Sequence, residues 1–582
     1  MGSSAPHGLK PGHKPGIPLL PGLVYAIPMT PRHLAALLSV TVLLLLAPIL
    51  SLAQPEPSPA SLSLEEKIGQ MLMVAFKGPA VSPEIREMIA KRHIGGVILY
   101  SSWGNVENLR QVAALTAALQ AEAAATPSGV GLFVGVDHEG GPVMRLREGV
   151  TVFPSQMAVA ATGNREHARA MARVSASELA VLGVNMTFSP VADVNSNPDN
   201  PIINIRSFGS DPNVASRLAA AMTEEFVRAR MLCTPKHFPG HGDTGVDSHM
   251  GLPVSEHDRN RLERVDFPPF RAAIQAKAPA VMTAHVAVPV LDPSGLPSTL
   301  SSRVLEGTLR KELRFEGLVI TDSLGMGALS KGVGTVRAAV LAAKAGADVL
   351  LFGADIGHEP PEQAEAYEAL LAAARSGELP MARIDQAVER ILAAKKAYGI
   401  LQAKAVPDRA ALIPYRVGIP DNIQAALAAA QDSITLRHDR TKLLPFRRGE
   451  RILVVWPERT AFDPVASLTL PEGAQLLRTP REPSAQDLQN AVEAALKADK
   501  VAVFTYDAIR NPAQRNLVNT LLSMKPQSLI HVALGGPYDL ALFPQAPAGV
   551  ATYGDVPVSL EALSKALAGS IPLTGRLPVR LP

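Results

Sequence analysis

The stretch MLCTPKHFPGHGDTGVDSH, Met231 to His249, starts as an apolar strand and ends as a glycine-rich loop crowded with ionisable groups. From Lys236 onward it holds one lysine, three histidines, two aspartates and three glycines. A core strand does not carry that load. A loop leaving the end of a strand does, because loops bear reacting groups while the scaffold fixes them. The same order, apolar strand and then polar loop, recurs on both sides. Strand-like runs read MLMVAF (71–76), GGVILY (95–100), LFVGVD (132–137), VNMTFSPV (184–191), MLCTPKHF (231–238), AVMTAHVAV (280–288), GLVITD (317–322) and ADVLLFG (347–353). Helical patterns lie between them, as at Glu166–Leu182, Val214–Arg230 and Val336–Ala345.

Strands that are apolar throughout and alternate with helices imply a parallel sheet covered on both faces. Eight such units over residues 62–402 predict a (β/α)8 barrel, with an open doubly wound sheet as the competitor. The polar residues favour the barrel. Asp137, Asp193, His237, His285 and Asp322 fall at or just past the C-terminal ends of different strands. A barrel gathers such ends at one mouth, whereas an open sheet spreads them along an edge. Residues 403–425, with Pro407, Pro414 and Pro420, read as a weakly patterned link. Residues 426–582 read as a smaller layered α/β domain, with strands RILVVWP (451–457), KVAVFTY (500–506) and SLIHVALG (528–535) and a helix at Ala485–Ala498.

Composition narrows the function. Of 582 residues 47% are hydrophobic and 19% charged, and the net charge is +3 with the basic residues dispersed. That excludes a disordered chain and a nucleic-acid footprint. The single cysteine, Cys233, excludes an internal disulfide and any Cys-based metal cluster. Arg32 and His33 precede the apolar run Leu34–Ala53, and a Pro- and Ser-rich linker follows at 54–61. Residues 1–53 therefore read as a leader cleaved near Ala53, which predicts export to the periplasm or the extracellular space and no stable membrane insertion afterwards. An uncleaved anchor is the alternative, because the run approaches spanning length. Met29 offers a second start, with residues 1–28 as an over-extension.

Four segments carry chemistry. In GLVITDSLGMGAL, 317–329, the strand delivers Asp322 to its end and a tight Ser-Gly turn leaves space beside the carboxylate. Such a carboxylate suits a nucleophile; a helix N-cap is the plainer reading. In the opening loop Asp247 and His249 stand one residue apart, so in an extended segment both project to one side. Asp247 can then hold one imidazole nitrogen and favour the protonated ring, which makes a general acid/base. A metal site from His237, His241 and His249 with Asp243 or Asp247 fits less well, because Pro239 and Gly240 forbid a helical histidine pair. In GVDHEGGPVMRL, 135–146, Asp137 and Arg145 suit the paired hydroxyls of a sugar, or form a structural salt bridge. In NIRSFGSDP, 204–212, Arg206 reaches inward or lies on the surface. His285 is a core histidine or a ligand contact.

Together these segments resemble the β-N-acetylhexosaminidase branch of glycoside hydrolase family 3, two-domain type, across residues 62–402. The resemblance implies Asp322 as nucleophile, His249 with Asp247 as acid/base dyad, and Asp137, Arg145, Arg206, Lys236 and His237 as sugar contacts, with no metal and no cofactor. One departure stands out. The family pattern D-Q-E-G-G-R-V-x-R appears here with His138 and Pro142 in place of its Gln and first Arg, while Asp137 and Arg145 persist. The expected activity is retaining hydrolysis of terminal β-linked N-acetylglucosamine from peptidoglycan fragments. The alternatives are a β-glucosidase or phosphorylase on the same scaffold, or a non-catalytic sugar-binding envelope protein. The histidine loop argues against the β-glucosidase, because family β-glucosidases usually draw their acid from the second domain. Asp322, Asp247 and His249 together argue against the binding protein.

Overall fold

The computed structural model describes residues 56–403, 409–458 and 464–581. The apolar run Leu34–Ala53 lies outside them. No helix among the described residues is long and apolar enough to cross a membrane. The barrel strands are β1 (Leu72–Ala75), β2 (Gly96–Ile98), β3 (Phe133–Val136), β4 (Met186–Thr187), β5 (Leu232–Cys233), β6 (Ala280–Met282), β7 (Leu318–Ile320) and β8 (Leu350–Phe352), every residue of them buried. The ladder runs β8-β1-β2-β3-β4-β5, parallel throughout, and β6 pairs with β7. Bridges Phe238↔Thr283 and Ile320↔Val349 join these two runs into a ring. A parallel sheet buried on both faces wants continuous Val, Ile, Leu and Met, and these strands supply them.

The strand after Met231 is shorter than its sequence pattern predicts. Only Leu232–Cys233 pair regularly, and pairing resumes as the isolated bridges of Lys236 and Phe238. Pro235 has no N–H to give the ladder, so the chain leaves the sheet there and places Lys236 and His237 over the barrel mouth.

The second sheet comprises β9 (Thr435–Asp439), β10 (Ile452–Pro457), β11 (Gln475–Thr479), β12 (Lys500–Thr505), β13 (Leu529–Ala533) and β14 (Ala548–Ala551). Its order is β9-β14-β13-β12-β10-β11, with β9 antiparallel and the rest parallel. Period-two alternation sorts its side chains into two cores. Val454 and Trp456 face one cluster with Leu560 and Leu563, while Leu453 and Val455 face another with Leu517 and Leu521. The result is a helix–sheet–helix sandwich.

Inside the expected link 403–425, a helix already begins at Pro420 and runs to Ser433. Pro420 occupies the first helical turn, where its missing N–H costs nothing, so it starts a helix where the sequence pattern suggests a break. The lone thiol, Cys233, is buried, and burial pushes its pKa up.

Candidate active site

The C-terminal ends of the strands enclose a cavity of about 230 Å³. That equals roughly eight water volumes, the scale of a single sugar ring. Its wall includes Asp137, Arg145, Arg206, Lys236, His237, His249 and Asp322, so the structure brings seven of the eight residues singled out above to one place. The eighth, Asp247, bonds directly to His249. Tyr100, Ser323, Met326 and Asp355 complete much of the remainder.

The floor is a lattice of paired charges. Asp137 follows β3 immediately and accepts from Lys236 Nζ at 2.9 Å and from Arg145 at 3.1 Å. Glu139 accepts from Lys236 at 2.6 Å and holds Arg206 through two bonds of 2.8 and 2.9 Å. A buried charge is tolerated only when paired, and the planar guanidinium matches a carboxylate with two bonds. Burial raises the pKa of Asp137 and of Glu139, but the facing cations outweigh it and hold both below the ordinary carboxylate range. Arg145 also lies over the Tyr100 ring, 5.0 Å from its centroid.

His237 is held from behind. Its Nδ1 meets Asp193 at 2.7 Å, its backbone N–H donates to the same carboxylate, and Nε2 faces Arg206 at 3.4 Å and Asp322 at 4.0 Å. The three loop histidines do not converge on a common point. His237 turns to Asp193, His241 to Thr244 and Ser248, and His249 to Asp247.

Asp322 lies just past β7, with Oδ1 accepting from the Ser323 N–H at 2.8 Å. It caps no helix: the next one begins at Gly327, with Met326 in the cap position. Burial raises its pKa, yet His237, His285, His249 and Lys236 prevail, and the carboxyl is held below its usual range. His285 supports the turn from below, bonding the Ser323 carbonyl at 2.7 Å through Nε2 and Thr299 at 2.8 Å through Nδ1. It is a satisfied core histidine, not a wall of the cavity.

His249 and Asp247 pair as their spacing implied, but in a turn and not in an extended segment. Asp247 Oδ1 accepts both the His249 backbone N–H at 2.9 Å and ring Nδ1 at 2.8 Å, and its carbonyl accepts from Met250 and Gly251. Aspartate bonding backbone two residues on is a common turn device, and here it orients the ring as well. The bond from Asp247 raises the imidazole pKa, burial opposes it, and Asp322 adds to the rise. The loop docks on the turn after Asp322: Gly327 N–H donates to the His249 carbonyl at 3.2 Å. A Cβ at Gly327 would stand 2.4 Å from that oxygen, so only glycine allows the approach.

The sequence reading missed Glu139, Asp193 as an orienting partner, and Asp355. Glu139 sits inside the quoted GVDHEGG motif. A carboxylate between a buried strand and two glycines demands a partner, and that demand was its signal. Asp355 follows β8 much as Asp322 follows β7, and Ser323 Oγ donates to it.

A carboxylate kept ionised, an imidazole kept basic, and a fixed array of donors and acceptors are the parts of acid–base-assisted substitution on a polyol. The comparisons with known proteins decide the family. Residues 63–394 match the Glycosyl hydrolase family 3 N terminal domain. The chain belongs to glycosyl hydrolase family 3. It is 31% identical to "Beta-hexosaminidase A" of Pseudoalteromonas piscicida over 89% of this chain and 97% of the relative. It is 28% identical to a "Beta-N-acetylglucosaminidase/beta-glucosidase" of Cellulomonas fimi, over 89% and 94% respectively. Its fold superposes on a family 3 β-N-acetylglucosaminidase from Paenibacillus sp. str. FPU-7 with TM-score 0.82 and 37% identity, covering 90% of this chain and 99% of that one. The protein is a glycoside hydrolase of family 3, with the barrel and sandwich architecture of its two-domain members.

Proposed function

We propose that this family 3 enzyme is a retaining exo-glycosidase that removes terminal β-linked N-acetylglucosamine, drawn from peptidoglycan fragments outside the cytoplasm. The observation that carries this reading is the His249–Asp247 pair in the same cavity as the ionised Asp322. Asp322 attacks the anomeric carbon as the bond to the leaving oxygen breaks, and His249 Nε2–H protonates that oxygen. The product is a glycosyl ester on Asp322. His249, now deprotonated, takes a proton from water. The water oxygen bonds to the anomeric carbon and the ester oxygen leaves, so two inversions give net retention. Asp137, Arg145, Arg206, Lys236 and His237 hold the ring hydroxyls, Glu139 fixes Arg206 and Lys236 from behind, and no cofactor is required. The β-N-acetylglucosaminidase relatives support the sugar, and the Leu34–Ala53 pattern supports export.

Aryl β-N-acetylglucosaminide and aryl β-glucoside, each with and without inorganic phosphate, test the reaction. We expect the first to be hydrolysed faster by at least about tenfold, a difference of roughly 1.4 kcal/mol in transition-state binding, with no sugar 1-phosphate formed. Faster glucoside cleavage, or sugar 1-phosphate as the main product, overturns the assignment. Native protein is expected to start near Gln54. N-terminal sequencing that finds an intact Leu34–Ala53 overturns the export half.

A further inference from the structure

Among the described residues the C-terminal lobe lines no part of the cavity, yet both partners of the Arg206–Glu139 pair rest on it. Tyr538, fully buried, bonds through its hydroxyl to Asn195: it accepts from Nδ2 at 2.9 Å and donates to the carbonyl at 3.2 Å. Asn195 in turn grips both ends of the loop that carries Arg206. Its Oδ1 accepts from the Asn204 N–H at 2.8 Å, and its own N–H donates to the Gly209 carbonyl at 2.9 Å. Ile205, next to Arg206, is buried in one cluster with Tyr538 and Tyr553. On the other side, Ser155 Oγ donates to the Tyr553 carbonyl at 2.6 Å. Ser155 also abuts Gly141, where a Cβ would stand 2.7 Å from the serine Cβ, in the hairpin that carries Glu139.

We propose that the C-terminal lobe is a positioning element of the sugar subsite, with Tyr538 setting the Arg206 loop through Asn195 and the Tyr553 carbonyl setting the Glu139 hairpin through Ser155. This rests on the reading of Arg206, held in place by Glu139, as a sugar-holding group. A two-bond guanidinium interaction falls off steeply with small displacements, so the loops beneath it need fixed anchors. The barrel holds each loop at one further point, Gln156 Nε2 donating to the Arg206 carbonyl at 2.9 Å and the Gly141 N–H to the Phe153 carbonyl at 3.0 Å, and the lobe's hydrogen bonds add the anchors that fix their height and angle. Apolar packing alone would fix neither. The lobe thus acts in binding without touching substrate.

The test uses the full chain and an aryl β-N-acetylglucosaminide. Tyr538→Phe removes the hydroxyl and keeps the ring. Its KM is expected to rise roughly 3- to 10-fold, because both bonds of that hydroxyl to Asn195 are lost. Its kcat should stay within about twofold, because an interaction that weakens equally in the ground and transition states shows in KM alone. Ser155→Ala, which cuts the other route, is expected to move KM the same way and keeps the test open if Tyr538→Phe folds poorly. Ser564→Ala is the control. It removes a buried hydroxyl of the C-terminal lobe that accepts from the Thr469 N–H at 2.9 Å and donates to the Leu560 carbonyl at 2.7 Å, bonded to neither Tyr538 nor Tyr553, and its KM is expected to stay at the wild-type value. An equal KM rise in Ser564→Ala would show general loosening and overturn the proposal. A rise in Arg206→Lys with none in Tyr538→Phe and Ser155→Ala overturns it too, leaving the subsite reading intact. If Arg206→Lys also leaves KM unchanged, the subsite reading falls as well.

Discussion

Asp322→Ala is expected to lose turnover by roughly ten-thousand-fold or more while still binding sugar, because the covalent step has no substitute carboxylate aligned for it. The Ser323 N–H fixes one oxygen at 2.8 Å, and the surrounding histidines and Lys236 keep the group ionised against the pull of burial. The residues proposed to hold the ring hydroxyls are untouched by the change. Two other aspartates line the cavity: Asp137 is tied to Lys236 and Arg145, which leaves Asp355 as the competitor. Burial and then the neighbouring Asp322 charge raise its pKa, although the Ser323 hydroxyl works the other way, so it is the poorer nucleophile. A 2-fluoro-sugar that accumulates as the covalent ester should therefore label the wild type at Asp322, and mass spectrometry of the peptide reads the site. Label on Asp355, or product of inverted anomeric configuration, overturns the nucleophile assignment.

What the sequence revealed and what it concealed divide along a physical line. Strand ends could be read because a buried parallel strand has no use for charge, so Asp137 and Asp322 mark where the chain leaves the sheet. The Asp247–His249 pairing could be read because it is local, even though the chain forms it in a turn. Glu139 escaped because its partner Arg206 lies 67 residues away, and nothing in GVDHEGG says which cation will arrive. The same holds more strongly for Tyr538, 343 residues from Asn195. Its role exists only once two lobes are packed together. Pro420 shows the opposite failure: local chemistry compatible with either a break or a helix start was decided by Ala426, Ala429 and Ala430 finding a core to bury in.

Asp247→Asn is expected to leave the fold intact and to lower turnover on poor leaving groups by roughly a hundredfold, with His249→Ala losing about a hundred- to ten-thousand-fold. Asparagine can still accept from the His249 N–H, so the turn survives, but the charge that favours the imidazolium is gone. The pH profile separates this from general damage. In the wild type the Asp247 bond raises the His249 pKa, so the protonated acid persists above the ordinary imidazole range and kcat/KM falls only as pH rises through that raised value. Removing the charge lowers the folded-state pKa, so the alkaline limb must move to lower pH. The acid limb, set by Asp322 with its lowered pKa, should stay in place. With a very good leaving group such as dinitrophenolate, which departs without a proton, the loss should nearly vanish from the glycosylation step. Wild-type rates for both variants on poor leaving groups would remove His249 from the acid role. Asp355 would then be the cavity carboxyl left to supply the proton, because it alone of the aspartates lining the cavity has a raised pKa, and Asp355→Asn would take the loss instead.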